Sequence, residues 1–69
     1  MARYNLFAAV AAYREYVAKR IRAEFAGDKR AARDFRGLAL AARRQAEVAL
    51  RAMGSKNIAA DFAAMEGSR

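Results

Sequence analysis

The four residues FAGD at positions 25–28 decide how this chain folds. The residues on either side favour a helix. Gly27 supplies the left-handed conformation that ends one helix cheaply, and Asp28 offers a carboxylate oxygen to start the next. The same grammar returns in AMGS at positions 52–55, where Gly54 precedes Ser55. The 69 residues contain no proline and no strand-type alternation, so the chain reads as three helices over about 5–26, 28–53 and 55–66. Links this short make consecutive helices antiparallel neighbours. The expected fold class is all-α: a helical hairpin with a short third helix, in one small domain spanning 1–69.

Periodicity assigns the faces. In helix 1, Leu6, Val10, Tyr13, Val17 and Ile21 share a side, with Ala9 at its edge. Helix 2 aligns Ala31, Phe35, Leu38, Ala42, Ala46, Ala49 and Met53, flanked by Ala32, Ala39 and Leu50, and Phe35 and Met53 mark the expected centre. Helix 3 contributes Ile58, Phe62 and Met65. The seam Ala39, Ala42, Ala46, Ala49 lacks long side chains, so a facing helix is expected to approach to about 8 Å. Phe35, Leu38, Leu50 and Met53 then lock the two ends of that seam.

Alanine buries little surface, and burial is worth only roughly 25 cal/mol per Å². Chains below about 70–80 residues usually need a disulfide, a metal or a partner subunit. A sequence without Cys or His builds neither disulfides nor thiolate or imidazole metal sites. A hairpin is also one layer thick and leaves an apolar side wet. The expected solution is a homodimer built as a four-helix bundle, with helix 3 capping each end. In size and shape such a dimer is similar to small plasmid- or phage-encoded helical-hairpin regulators, a likeness that carries no function.

Most chemistry lacks a carrier. The seven acids (Glu15, Glu24, Asp28, Asp34, Glu47, Asp61, Glu66) are scattered and show no calcium-loop spacing. Glycines at 27, 37, 54 and 67 are too far apart for a phosphate loop. Without His, Cys or Thr, acid–base and covalent catalysis lose their usual residues, and Ser55 and Ser68 read as a cap and a tail residue. No enzyme, cofactor or metal is expected. No apolar run reaches membrane-spanning length. The opening MARYNLFAAVAAYRE imitates a secretion signal only faintly and reads as the start of helix 1. The absence of cysteine fits a cytoplasmic location.

Fourteen basic against seven acidic residues give a net charge of +7, and eleven of the fourteen are arginine. Such a surface favours acidic partners: nucleic acid, an acidic protein face or an anionic membrane. The twenty alanines beside those arginines also match the codon bias of a GC-rich genome, so charge alone decides nothing. The side of helix 2 opposite its apolar face gathers Arg30, Arg33, Gly37, Leu40, Arg44, Val48 and Arg51. Leu40 and Val48, eight residues apart, are expected to stack on that side. Gly37 leaves a notch in which another backbone or a bulky side chain comes close.

Apolar anchors ringed by arginine have the composition of a protein-docking surface, and this is the preferred reading: a small regulatory, adaptor or inhibitor protein. Against it stands the plain alternative that helix 3 or the second subunit covers Leu40 and Val48. A nucleic-acid rail is the next functional reading, since Arg30 to Arg51 spans roughly 32 Å, near one turn of B-DNA. Leu40, Val48 and the acid Glu47 interrupt that rail. KRAARDFR at 29–36 imitates a basic-zipper arm but no leucine heptads follow it. A membrane-active basic helix is the third functional reading, weakened by alanine-rich faces without Trp.

The remaining features point to structure. Tyr4, Tyr13 and Tyr16 lie along helix 1, with Tyr13 expected in the core and Tyr16 off it. Phe7 and Phe25, at opposite ends of helix 1, are expected to pack on helix 3 or on the dimer mate. Arg20 and Glu24 have the spacing of a helical ion pair.

Overall fold

The computed structural model describes residues 5–67. Among these the chain forms three helices and no strand: α1 (Leu6–Phe25), α2 (Lys29–Ala52) and α3 (Ile58–Gly67). Tyr4, Ser68 and the first residues of the signal-like opening lie outside the described residues.

Both glycine punctuation marks close a helix in the same way. Gly27 and Gly54 have φ of 77° and 85°. The Gly27 N–H donates to the Glu24 carbonyl at 3.1 Å, and the Asp28 N–H to the Ala23 carbonyl at 2.9 Å. At the second turn Gly54 donates to Arg51 and Ser55 to Leu50, each at 3.0 Å. These paired bonds satisfy the last carbonyls of α1 and α2, which is what a left-handed residue just past a helix achieves. A Cβ at Gly27 would meet no atom within 4 Å, so a substitution there costs backbone strain alone. Gly27→Ala is expected to lower the unfolding free energy by about 1–2 kcal/mol, read as a lower midpoint in urea.

Each helix starts on one side-chain oxygen placed three residues ahead. Asn5 Oδ1 accepts from the Ala8 N–H (3.1 Å), Asp28 Oδ1 from Ala31 (3.0 Å) and Asn57 Oδ1 from Ala60 (3.1 Å). The third of these corrects the expectation for Ser55. That residue lies before an irregular stretch, and its Oγ donates to Asp61 Oδ2 instead. α3 therefore begins at Ile58, three residues later than the Gly–Ser pair suggested. Asp28 serves as both the end of α1 and the cap of α2; Ser55 has only the first of those duties.

Packing follows the alanine seam. Ala39, Ala42, Ala46 and Ala49 are buried on α2, as are Ala9 and Ala23 on α1, so the two backbones approach through small side chains. Among the described residues large buried side chains are few: Leu6, Val10, Leu50 and Phe62. They gather at the open end of the hairpin, where α3 folds back over α1 and α2, joined by half-buried Tyr13, Ile58 and Met65. Phe62 is the centre of this cluster, with only 2% of its surface exposed. Its ring meets Tyr13 edge-on at 5.1 Å between centroids, and the Arg43 guanidinium lies 5.1 Å from its centre. Both geometries are favourable for an aromatic ring.

α3 is ten residues long and covers only that end. The apolar side expected of α1 and α2 is therefore buried unevenly. Leu6 and Val10 are buried and Tyr13 and Val17 half-buried, but Ile21 is exposed. On α2, Phe35 is half-buried and Leu38 and Met53 are exposed, so the buried face centres on Ala46 rather than on Phe35 and Met53. Leu38 sits on the rim of the seam, and Met53 caps α2 beyond its last turn. Near the α1–α2 turn the molecule stays one layer thick. The Nζ of Lys19 lies 5.8 Å from the Phe35 ring centre and covers part of it.

Candidate docking face

The arginine face of α2 starts from composition. The 24 residues of α2 carry seven bases and two acids, a local net charge of +5. With the alanine seam against α1, Arg30, Arg33, Gly37, Leu40, Arg44, Val48 and Arg51 all face outward and are exposed. Neither α3 nor α1 covers the two aliphatics: Leu40 is 49% and Val48 47% exposed. They do not stack as expected. Eight residues turn an α-helix by about 80° beyond two full turns and advance it about 12 Å. Leu40 and Val48 are therefore set apart on a broad face, with Arg44 between them along the helix. Around Val48 lies a shallow depression of about 220 Å³, lined by Ala41, Arg44, Gln45 and Val48.

The charges on this side divide into two groups. Arg43 pairs with Glu47 at 3.5 Å while lying over Phe62, so both residues are held by the fold. Glu47 thus turns its carboxylate toward Arg43 and is half-buried, which weakens its expected role as an acid opposing phosphate. Arg30, Arg33, Arg44 and Arg51 make no ion pair among the described residues. A second concavity of about 390 Å³ lies at the start of α2, between Glu24, Gly27, Lys29, Ala32, Arg33 and Arg36. It extends the basic surface around the α1–α2 turn.

Gly37 has the ordinary helical conformation, and a Cβ there would meet nothing within 4 Å. The notch is open to solvent, and nothing within the chain fills it. No protein-family model, no curated protein and no solved structure matches the chain. The face must therefore be read from its own chemistry.

The other charged pairs are local to α1. Glu15 and Lys19 lie 3.2 Å apart, and Arg20 and Glu24 3.8 Å, the second as expected from spacing. Such partly exposed pairs are worth a few tenths of a kcal/mol. Among the described residues no three carboxylates converge on a common point, and no helix is long and apolar enough to cross a membrane. Tyr16 is half-buried on α1. One long-range contact was not legible in the sequence: Arg14 donates to the main-chain carbonyls of Met65 and Glu66, from Nε to Glu66 at 3.0 Å. An arginine at the negative end of α3 is electrostatically favoured there, but nothing in its local sequence names its target.

Proposed function

We propose that this protein is a non-enzymatic adaptor or inhibitor that docks the α2 face on an acidic surface of a partner protein. The observation that carries the reading is the pair Leu40 and Val48, half exposed among arginines that the fold does not neutralise. A face whose only task is solubility gains nothing from two aliphatics. Desolvated, they supply anchoring energy, while Arg30, Arg33, Arg44 and Arg51 steer and orient the complex. Self-association belongs to the same proposal: two hairpins joined in a four-helix assembly would cover apolar side chains at the thin end and present two such faces.

Leu40→Asp is expected to weaken capture of the partner from a host lysate at least tenfold, and Val48→Asp likewise. Helix content by circular dichroism should stay at the wild-type level. If either variant unfolds, the aliphatics belong to the core and the docking reading is lost. Arg33→Ala and Arg51→Ala should slow association and reduce its salt dependence. The rival is a duplex of nucleic acid held by its phosphates. It predicts that affinity for duplex DNA falls linearly on a log–log plot against salt, with each arginine removed lowering the slope by about one.

Gly37 separates stability from docking. Glycine in an exposed helix interior costs about 0.5–1 kcal/mol relative to alanine. Gly37→Ala should therefore raise the unfolding midpoint while weakening partner capture. A variant more stable and equally able to bind would show that the notch has no role.

A further inference from the structure

α1 has a second face that the fold leaves bare. Ala9 and Ala23 are buried against α2, and on the side turned away from them run Phe7, Ala11, Arg14, Ala18, Ile21 and Phe25, with Ile21 at the edge that borders the core stripe of Val10 and Val17. All six are exposed, Phe7 by 76% and Phe25 by 89%. Their spacing alternates four, three, four, three, four, which is the seam of a coiled coil. We propose that this seam is the homodimer interface, and that its occupant is a second copy of the chain packed antiparallel about a two-fold axis. The inference rests on the self-association proposed above and names the surface that makes it.

Four observations select a second copy. The first is that the spacing is the same read in either direction. An antiparallel pairing sets Phe7 against Phe25 of the second copy, Ala11 against its Ile21, and Arg14 against its Ala18, and then repeats these by symmetry. Aromatic meets aromatic at both ends and small meets large between them, the self-complementarity that a two-fold interface requires. A parallel pairing instead stacks Arg14 on Arg14 and alanine on alanine, with voids and like charges in the middle.

Charge at the border is the second. Glu15 and Arg22 flank the seam on one side, and both are exposed. In the antiparallel arrangement they are offset by about 7.5 Å along the axis. Helical side chains lean toward their own N-termini, so Glu15 of one copy and Arg22 of the other lean toward each other, twice per dimer. Arg14 is drawn off the seam by the α3 carbonyls, which leaves its aliphatic stem to line the contact.

Shape is the third. α3 thickens only the end of the molecule that holds Phe7, whereas the end that holds Phe25 is one layer thick. Antiparallel pairing lays the thin end of each copy beside the thick end of the other. Phe25 of the second copy arrives next to Phe7, at the mouth of a groove of about 620 Å³ lined by Leu6, Phe7, Leu50, Met53, Asp61, Ala64 and Met65. Both α1 helices become inner members of the assembly and both α2 helices outer ones, so the arginine faces stay free.

Area is the fourth. A compact monomer of 7.6 kDa exposes about 4,300 Å², whereas this chain exposes 5399 Å². The four rings alone place on the order of 600 Å² in the contact, about half of what a small stable interface buries. Ile21, the alanines and the arginine stems add the rest.

Light scattering on the full chain between about 10 and 500 µM, with matched variants, tests the proposal. Wild type should show the mass of two chains. Phe25→Glu should show one chain with unchanged helix content, its dissociation constant raised at least thirtyfold, while Leu40→Asp keeps the dimer. The sequence has no cysteine of its own, so introduced ones report direction. Chains carrying Ala11→Cys should form a disulfide when mixed with chains carrying Ile21→Cys, and neither should with itself. A wild-type mass of one chain at every concentration would overturn both the seam and self-association. A dimer that survives Phe25→Glu, or that Leu40→Asp dissolves, would overturn the seam alone. Self-linking of Ala11→Cys would overturn the antiparallel arrangement, and a monomer that binds anionic phosphatidylglycerol vesicles through Phe25 would make a membrane the occupant.

Discussion

Phe62→Ala is expected to lower the unfolding free energy by about 3–5 kcal/mol, the cost typical of emptying a phenylalanine site in a core. Small domains are stable by only about 5–15 kcal/mol, and this one has little to spare. Among the described residues, six of the ten buried hydrophobic ones are alanine. Phe62 is the largest completely enclosed side chain among the described residues, and it is the centre through which α3 holds the hairpin together. Its removal also deprives Tyr13 and the guanidinium of Arg43 of the ring they pack against. The loss should appear as a fall in the urea midpoint followed by circular dichroism. Because Arg14 is tied to the end of α3 and Met65 packs in the same cluster, α3 and the start of α1 should lose amide-exchange protection together. A loss below about 1 kcal/mol would mean that α3 contributes little to the fold.

Ala46→Leu is expected to cost about 1–3 kcal/mol or more, from overpacking. Ala46 has no exposed surface and sits mid-seam between α1 and α2. Three added carbons have no space to enter unless the helices move apart, and parting them loosens the neighbouring contacts at Ala42 and Ala49. Leucine and alanine are both good helix formers, so helix propensity contributes little to the difference. The control is Ala41→Leu, on the exposed side of the same helix, which should change stability by no more than about 0.5 kcal/mol. Urea denaturation of the pair isolates the steric cost. Equal values for the two variants would show that the hairpin is not closely packed.

How far the fold was legible can be traced residue by residue. Gly27 and Gly54 end helices where their neighbours said they should, because a left-handed residue and its two closing bonds are local events. The alanine seam was equally readable, since four small residues on one side of a helix have few other uses. Ser55 misled because a cap is chosen by where the chain arrives in space. Asn57, two residues on, offers the same kind of oxygen and lies where α3 begins. Ile21, Leu38 and Met53 misled for another reason: periodicity tells which side of a helix is apolar but not how far along it a partner reaches. The candidate face on α2 was readable as a set of outward positions, yet its Glu47 was not readable as the partner of Arg43.

What the amino-acid order determined by itself is the helical class, the two glycine-closed turns, the alanine contact and the concentration of positive charge on α2. These follow from backbone geometry, side-chain size and spacing within about one turn of helix. Only the tertiary structure decided that α3 covers one end alone, that Arg14 reaches its carbonyls and that Phe7 and Phe25 are left bare on one line of α1. Those depend on contacts between residues far apart in the chain, where the position and reach of one helix over another set burial, and no local pattern encodes that reach.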